Sequence, residues 1–295
     1  MAAQRSRLSV AHAWRFIMAY KSLLVHVDSS PRAAARLDTA IVLAQTFDAH
    51  LTGLFVAPLP LSDGGFAAAP YPHTSGTTPD YVEASARRAQ DTFENAVRLA
   101  GLASVEWRQL IGAPIEDMYL NARYHDLVII GQGDPTQSID KLPTDYPQTV
   151  LMGAGRPVLI VPYSGSFDTV GQQILVGWDA RQEATRALTN ALPLLKRAKR
   201  TQVLTINPVH GGDHGEVPGM DIAIYLARHG VEVEVMSEHG ASVDVGNLLL
   251  SNAADMGADL IVMGAYGHSR LREIMLGGAT QTVLESMTVP VLMSH

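Results

Sequence analysis

The 295-residue sequence contains no cysteine, which excludes a disulfide framework, a thiolate metal site and a cysteine nucleophile. That absence suits a reducing compartment, and a cytoplasmic protein is the expectation. A run of about 18 apolar residues, the length a spanning helix needs, is also missing, so no membrane partner is expected. There is no excess of base: 22 Lys and Arg face 29 Asp and Glu, a net charge of −7. This balance argues against a broad nucleic-acid surface but leaves room for one anion held by backbone amides. Apolar residues, at 47%, are too many for a disordered or collagen-like chain. The length fits about two domains, with roughly three quarters of the unfolded surface removed from water on folding.

The first 17 residues carry Arg5, Arg7 and Arg15 and no acid, as a targeting segment would. His12 and Arg15 break their apolar stretch and no clean cleavage site follows. Residues 1–17 therefore read as a disordered extension, with Met18 an alternative start before the strand pattern Ser22–Val27.

Internal repetition organises the rest. His125-Asp-Leu-Val-Ile-Ile-Gly131 answers Ala258-Asp-Leu-Ile-Val-Met-Gly264, Gln148-Thr-Val-Leu151 answers Gln281-Thr-Val-Leu284, and Arg156-Pro-Val-Leu-Ile160 answers Val289-Pro-Val-Leu-Met293. All three pairs share an offset of 133 positions. Upstream, Leu24-Val-His-Val-Asp28 answers Leu175-Val-Gly-Trp-Asp179, and Gly112-Ala113 answers Gly240-Ala241, at other offsets. The chain is a tandem duplication, with domain 1 over residues 18–165 and domain 2 over 172–295, joined by a polar, Gly-containing stretch from Tyr163 to Gly171.

Each copy alternates short apolar strands with amphipathic helices. In the second, strands are expected at Gln173–Val176, Val203–Ile206, Val231–Val235, Leu260–Met263 and Val289–Met293. Helices are expected at Gln182–Arg197, at Met220–Arg228 (closed by Gly230), at Val243–Ala254 and at Thr280–Ser286. This alternation predicts an α/β fold with two tandem doubly wound parallel-sheet domains, whose ligands bind beyond the C-terminal ends of the strands.

After the strand Leu260–Met263 comes Gly264-Ala-Tyr-Gly267, then nine residues, then Gly277-Gly278-Ala279-Thr280 and a helix. Glycines let the backbone turn and approach a ligand closely, and a helix N-terminus offers free amides to an anion. The segment is neither a Walker A loop nor a GxGxxG fingerprint. Asp179, ending the first strand, is placed to accept from a ribose or an adenine amine, and Ile206, ending the second, to offer its backbone to an adenine edge. Met263 borders the same loop, although its side chain reads as core. Taken singly, the glycines are better explained by a tight turn, and Asp179 by a helix cap.

Taken together, these residues resemble the universal stress protein family in its tandem two-domain form, over nearly the whole chain from about Met18. The most specific element is the family's G-x2-G-x9-G-(Ser/Thr) signature, matched by Gly264, Gly267 and Gly277. The resemblance implies the adenine nucleotide alpha hydrolase-like fold and a site for an adenine nucleotide, ATP with or without Mg, in the second domain. Its implied residues are Asp179, Ile206, Met263, Gly264, Gly267, Gly277, Gly278 and Thr280. Position 278 is Gly where the signature usually has Ser or Thr; a hydroxyl donor is lost, and Thr280 is the candidate substitute. The resemblance also implies that the last strand of each copy pairs across a pseudo-twofold axis, so that one chain carries its own dimer; a homodimer is a further option.

The first copy is an internal control. At the same offset Gly264 falls on Gly131, but Gly267, Gly277 and Gly278 fall on Asp134, Thr144 and Asp145, among Pro135, Pro143 and Pro147. Carboxylates repel phosphate and prolines remove amide donors, so domain 1 is not expected to bind ATP in this manner. The cluster His210-Gly-Gly-Asp213-His214-Gly-Glu216 lacks helical ligand spacing and reads as a solvated loop, not a metal site. Residues 58–80 read as either a lid or disorder, and Arg270 and Arg272 as solvent-facing or phosphate-reaching.

No nucleophile elbow, shared carboxylate pair or Lys in the glycine loop suggests catalysis. The leading expectation is a nucleotide-binding sensor or signalling module of the stress response with at most slow hydrolysis. The alternatives are an interaction module with a vestigial pocket and an ATP-using enzyme of the same fold. Such an enzyme should show a Ser-Gly-Gly-type loop where this chain has Asp179-Ala-Arg-Gln-Glu183.

Overall fold

The computed structural model describes residues 19–60, 78–133, 142–143, 145–207, 219–239, 244–266 and 278–295. The first half runs β1 (Ser22–His26), α1 (Ala33–Phe47), β2 (His50–Pro58), α2 (Pro79–Leu99), β3 (Val105–Gly112), α3 (Pro114–Ala122), β4 (Leu127–Gly131), α4 (Tyr146–Gly153) and β5 (Val158–Val161). The second repeats the series as β6 (Gln173–Gly177), α5 (Gln182–Leu195), β7 (Arg200–Ile206), α6 (Met220–Arg228), β8 (Glu234–Glu238), α7 (Val245–Met256), β9 (Leu260–Gly264), α8 (Gly278–Ser286) and β10 (Val291–Ser294).

Local chemistry accounts for the helix boundaries. Thr78 caps α2 by accepting the Tyr81 amide, with Pro79 beginning the helix and Asp80 in its positive first turn. Asp244 caps α7 through the Asn247 amide at 3.0 Å, and Gly257 ends it in the left-handed conformation. The third-strand expectation of the second copy, at Val231–Val235, is displaced. The Val231 amide bonds to the Leu226 carbonyl to close α6, with Gly230 left-handed beside it, so β8 begins only at Glu234, opposite Gln202.

The ten strands form one sheet in the order β3-β2-β1-β4-β5-β10-β9-β6-β7-β8. Replacing each second-half strand by its repeat partner makes that order a palindrome, the signature of a pseudo-twofold axis. Neighbours are parallel except at the centre, where β5 and β10 pair antiparallel, with Leu292 opposite Leu159. The expected pairing of the last strand of each copy is thus present within one chain. One core layer lies under α1, α2, α5 and α6 and contains Val25, Phe55, Leu159, Val176, Val262 and Leu292. The other lies under α3, α4, α7 and α8 and contains Leu24, Ile130, Ile160, Leu175, Ile261 and Met293. Each layer draws on both halves. Among the described residues, no helix is long and apolar enough to cross a membrane.

Because Leu159 and Leu292 are fully buried at the seam, Leu159→Ala and Leu292→Ala should each destabilise the protein by about 2–5 kcal/mol in urea unfolding. A loss under about 1 kcal/mol would show that the central pairing is not packed as a core.

Candidate functional site

The winding of the second half reverses at β6: β7 and β8 lie on one side, β9 and β10 on the other. Gly177 is level with Met263 on one flank and with Leu204 on the other, so three strands end at one edge. Crevices of this kind are where doubly wound sheets take ligands. Trp178 donates to the Leu204 carbonyl at 2.9 Å, after which the chain turns away at Asp179 and Ala180. Ladder parity puts the Ile206 carbonyl, the next acceptor on that edge, toward the opening left by this turn. Asp179 is exposed; its Oδ1 accepts the Arg181 amide at 3.0 Å, and the Arg181 guanidinium lies 3.8 Å from Oδ2.

Three loops at this edge hold non-glycine residues in the left-handed region: Ala180 at φ 60°, Asn207 at φ 50° and Tyr266 at φ 56°. The fourth such residue among the described ones, Asp48, merely ends α1. Each conformation costs on the order of 1–3 kcal/mol, and such strain gathers at binding sites. Nothing in the sequence pattern signals it.

Gly264 has a structural reason to be glycine. A Cβ there would lie 2.4 Å from the Ala184 nitrogen, because the start of α5 packs directly on the strand end. Beyond it, the Ala265 amide donates to the Ser294 carbonyl at 3.0 Å and the Tyr266 amide to Thr280 Oγ1 at 3.3 Å. Thr280 is buried and holds the loop to α8, so two loop amides serve the protein itself. The opening amides of α8, including Gly278, have no acceptor one turn earlier within the helix and carry the positive end of its dipole. Among the described residues, a Cβ on Gly278 would meet only Asp244 Oδ2, at 3.8 Å. Asp244, which sequence reasoning missed, is the described carboxylate nearest to it. Met263 lies in the core, as its side chain suggests. Gly267, Gly277, Arg270, Arg272, the His210–Glu216 cluster, the first-half positions Asp134 and Thr144 and most of residues 58–80 lie outside the described residues.

The two halves differ most in what fills this place. In the first half Asp28 is buried; Ser30 donates to Oδ1 through its amide and hydroxyl, and Arg36 donates to Oδ2 at 2.7 Å. Where a Cβ of Gly131 would stand, the Arg36 guanidinium stands instead. His26 and Tyr146 pack beside it with ring centroids 5.3 Å apart. The repeat places Gly177, Ala187 and Ala279 where the first half has His26, Arg36 and Tyr146. The first-half place is filled by side chains, and the corresponding second-half positions carry small residues. The first turn of α4 also contains Pro147, which has no amide hydrogen to offer.

Burial, reinforced by Arg36, lowers the His26 pKa from 6.5 to about 4, against the smaller upward pull of Asp28. The Arg36 guanidinium, with His26 and Ser30, holds the Asp28 carboxyl well below the usual range although burial opposes this. Between pH 6.5 and about 4 an unfolded chain protonates this histidine while the folded chain leaves it neutral. Stability should therefore fall as pH drops through that window, by roughly 3 kcal/mol at most. Urea midpoints measured across it should flatten in His26→Gln; an unchanged slope would show that His26 titrates normally.

The model of the Universal stress protein family matches residues 171–295. A universal stress protein of Synechocystis sp. is 25% identical over 211 residues, covering 68% of this chain and 69% of that protein. A universal stress protein of Methanocaldococcus jannaschii is 45% identical over 40 residues, 14% of this chain and 25% of that protein. The crystal structure of a universal stress protein from Archaeoglobus fulgidus shares the fold, with a TM-score of 0.67 at 20% identity over 92% of this chain and 97% of that one. The family match covers residues 171–295, and the aligned relative and the shared fold extend the similarity to universal stress proteins across both halves.

Proposed function

We propose that the chain is a stress-response sensor or signalling module that binds one adenine nucleotide, ATP, in a second domain spanning residues 172–295, while the first domain, residues 18–165, binds none. The observation that carries this reading is the small lining of the second strand edge, with Gly177, Ala187 and Ala279 in place of a histidine, an arginine and a tyrosine. Asp179 and the Ile206 backbone would hold the nucleoside, Met263 and Gly264 would floor the site, and Gly267, Gly277 and the amides from Gly278 would face phosphate, with Thr280 fixing the loop. Any Mg would arrive on the phosphates, with Asp244 the described acid on that side. Amides and carboxylates bind a ground state without accelerating phosphoryl transfer, so hydrolysis is at most slow. A cytoplasmic location belongs to the same proposal, supported by the lack of cysteine. The missing hydroxyl at Gly278 and the self-bonded amides of Ala265 and Tyr266 favour one rival, an interaction module with a vestigial pocket.

Calorimetry on the full chain with ATP, and separately with AMP, should show one site. Nothing among the described residues crowds position 278, so Gly278→Val should fold normally yet weaken nucleotide binding at least about tenfold by blocking the approach of phosphate. The counterpart Asp145→Val should leave binding unchanged; loss there would assign the site to the wrong half. No heat with either nucleotide would leave the interaction module standing. Single-turnover hydrolysis at enzyme-like rates, on the order of 1 per second or faster, would overturn the non-catalytic reading.

A further inference from the structure

The seam between the halves is not symmetric. Beside the end of β10 lies a cavity of about 240 Å³, reached by Arg156 from the first half and by Arg186, Asn190, Ser294 and His295 from the second. That volume suits a phosphate group with water but is below the usual range for a whole nucleotide. Asn190 donates to Ser294 Oγ at 3.1 Å, which leaves the Ser294 hydroxyl hydrogen free to donate. His295 Nδ1 is 3.2 Å from the Ala265 carbonyl. Arg156 spends one donor on the Arg123 carbonyl at 2.9 Å, and Arg186 has no hydrogen-bond or ion-pair partner among the described residues. Among the described residues that line the cavity, none carries a carboxylate side chain.

The pseudo-twofold mate of this place has the opposite character. The repeat offset puts Val289 where Arg156 stands, Ala35 for Arg186, Thr39 for Asn190, Val161 for Ser294 and Pro162 for His295. Met152, on the cavity wall, is replaced by Glu285. The mate is also latched by Gln132, whose amide donates to the Leu284 carbonyl at 2.7 Å and the Glu285 carbonyl at 3.3 Å while its Oε1 accepts the Tyr163 amide at 3.0 Å. The residue corresponding to Gln132 in the second half is Ala265, too short to make any such latch. At these positions one copy of the seam is latched by Gln132 and carries no cationic side chain, while the other carries two guanidinium groups, in a chain whose net charge is −7.

We propose that the open seam binds a phosphate-class oxyanion, held between Arg156 of the first half and Arg186 of the second with Ser294 as a hydroxyl donor. Guanidinium forks match the geometry of phosphate oxygens, and two of them converging from separate halves make a site that neither half has alone. The bound group is either free phosphate or the phosphate tail of a ligand seated at the neighbouring strand edge, where His295 reaches the Ala265 carbonyl.

Inorganic phosphate titrated into the full chain at physiological salt, followed by 31P NMR, should bind. Arg156→Gln combined with Arg186→Gln should weaken that binding at least about tenfold, with each single variant weaker in effect. Arg123→Gln, an exposed arginine at the end of α3, controls for general charge and should change nothing. Because both cavity arginines are exposed, melting temperatures should be unaffected. A parallel loss of ATP affinity in the double variant identifies the ligand's tail as the occupant; loss of phosphate binding alone identifies free phosphate. Phosphate binding should persist in Gly278→Val, so failure of the nucleotide assignment is told apart from failure of this one. Absence of phosphate binding, binding undiminished in the double variant, or equal loss in Arg123→Gln would overturn the proposal.

Discussion

The antiparallel pairing of β5 with β10 is the interaction on which the rest of the molecule depends. It turns two five-stranded units into one ten-stranded sheet and continues both core layers across the join. Last strands left unpaired would present open edges, a standing invitation to association with other chains. Pairing them within the chain removes that liability and fixes the relative orientation of the halves. The C-terminal edges of the two parallel sets then face opposite ways, so each half's candidate crevice opens on its own side.

Once the halves are held as pseudo-symmetric mates, their differences become informative. Asp28 and Asp179 occupy the same place in the repeat yet live in different environments. The first is buried, neutralised by a guanidinium and bonded at both oxygens; the second is exposed and, among the described residues, has its own turn and a nearby Arg181 for company. The cause lies in neighbours on other elements, namely Arg36 on α1, Tyr146 on α4 and His26 on β1, each replaced by glycine or alanine in the second half. A buried carboxylate needs a charged partner to remain ionised, and supplying that partner from inside consumes the space a ligand would need.

Much of the architecture is legible in one dimension. The offset of 133 residues, the near-continuous apolar strands and the turn residues define the duplication, the strand–helix alternation and most element boundaries. Val231 shows where such a reading slips: its apolar alternation looks like a strand, but its amide is committed to closing α6. The candidate site is legible in part. Glycine spacing marks the loop and Asp179 marks the strand end, but the left-handed Ala180, Asn207 and Tyr266 are not marked, since alanine and tyrosine disfavour that conformation and asparagine, though enriched in it, adopts it at few of its positions.

By itself, then, the amino-acid order determined that there are two copies of one α/β unit and which copy carries the glycine loop, because periodicity and turn chemistry are local properties of the chain. Only the tertiary structure decided that Gly264 is required by the backbone of α5, that Arg36 fills the first crevice and that Arg156 and Arg186 share a cavity. Those are relations between residues far apart in the chain, set by how helices pack on the sheet and how β5 meets β10, and no pattern along a single segment encodes them.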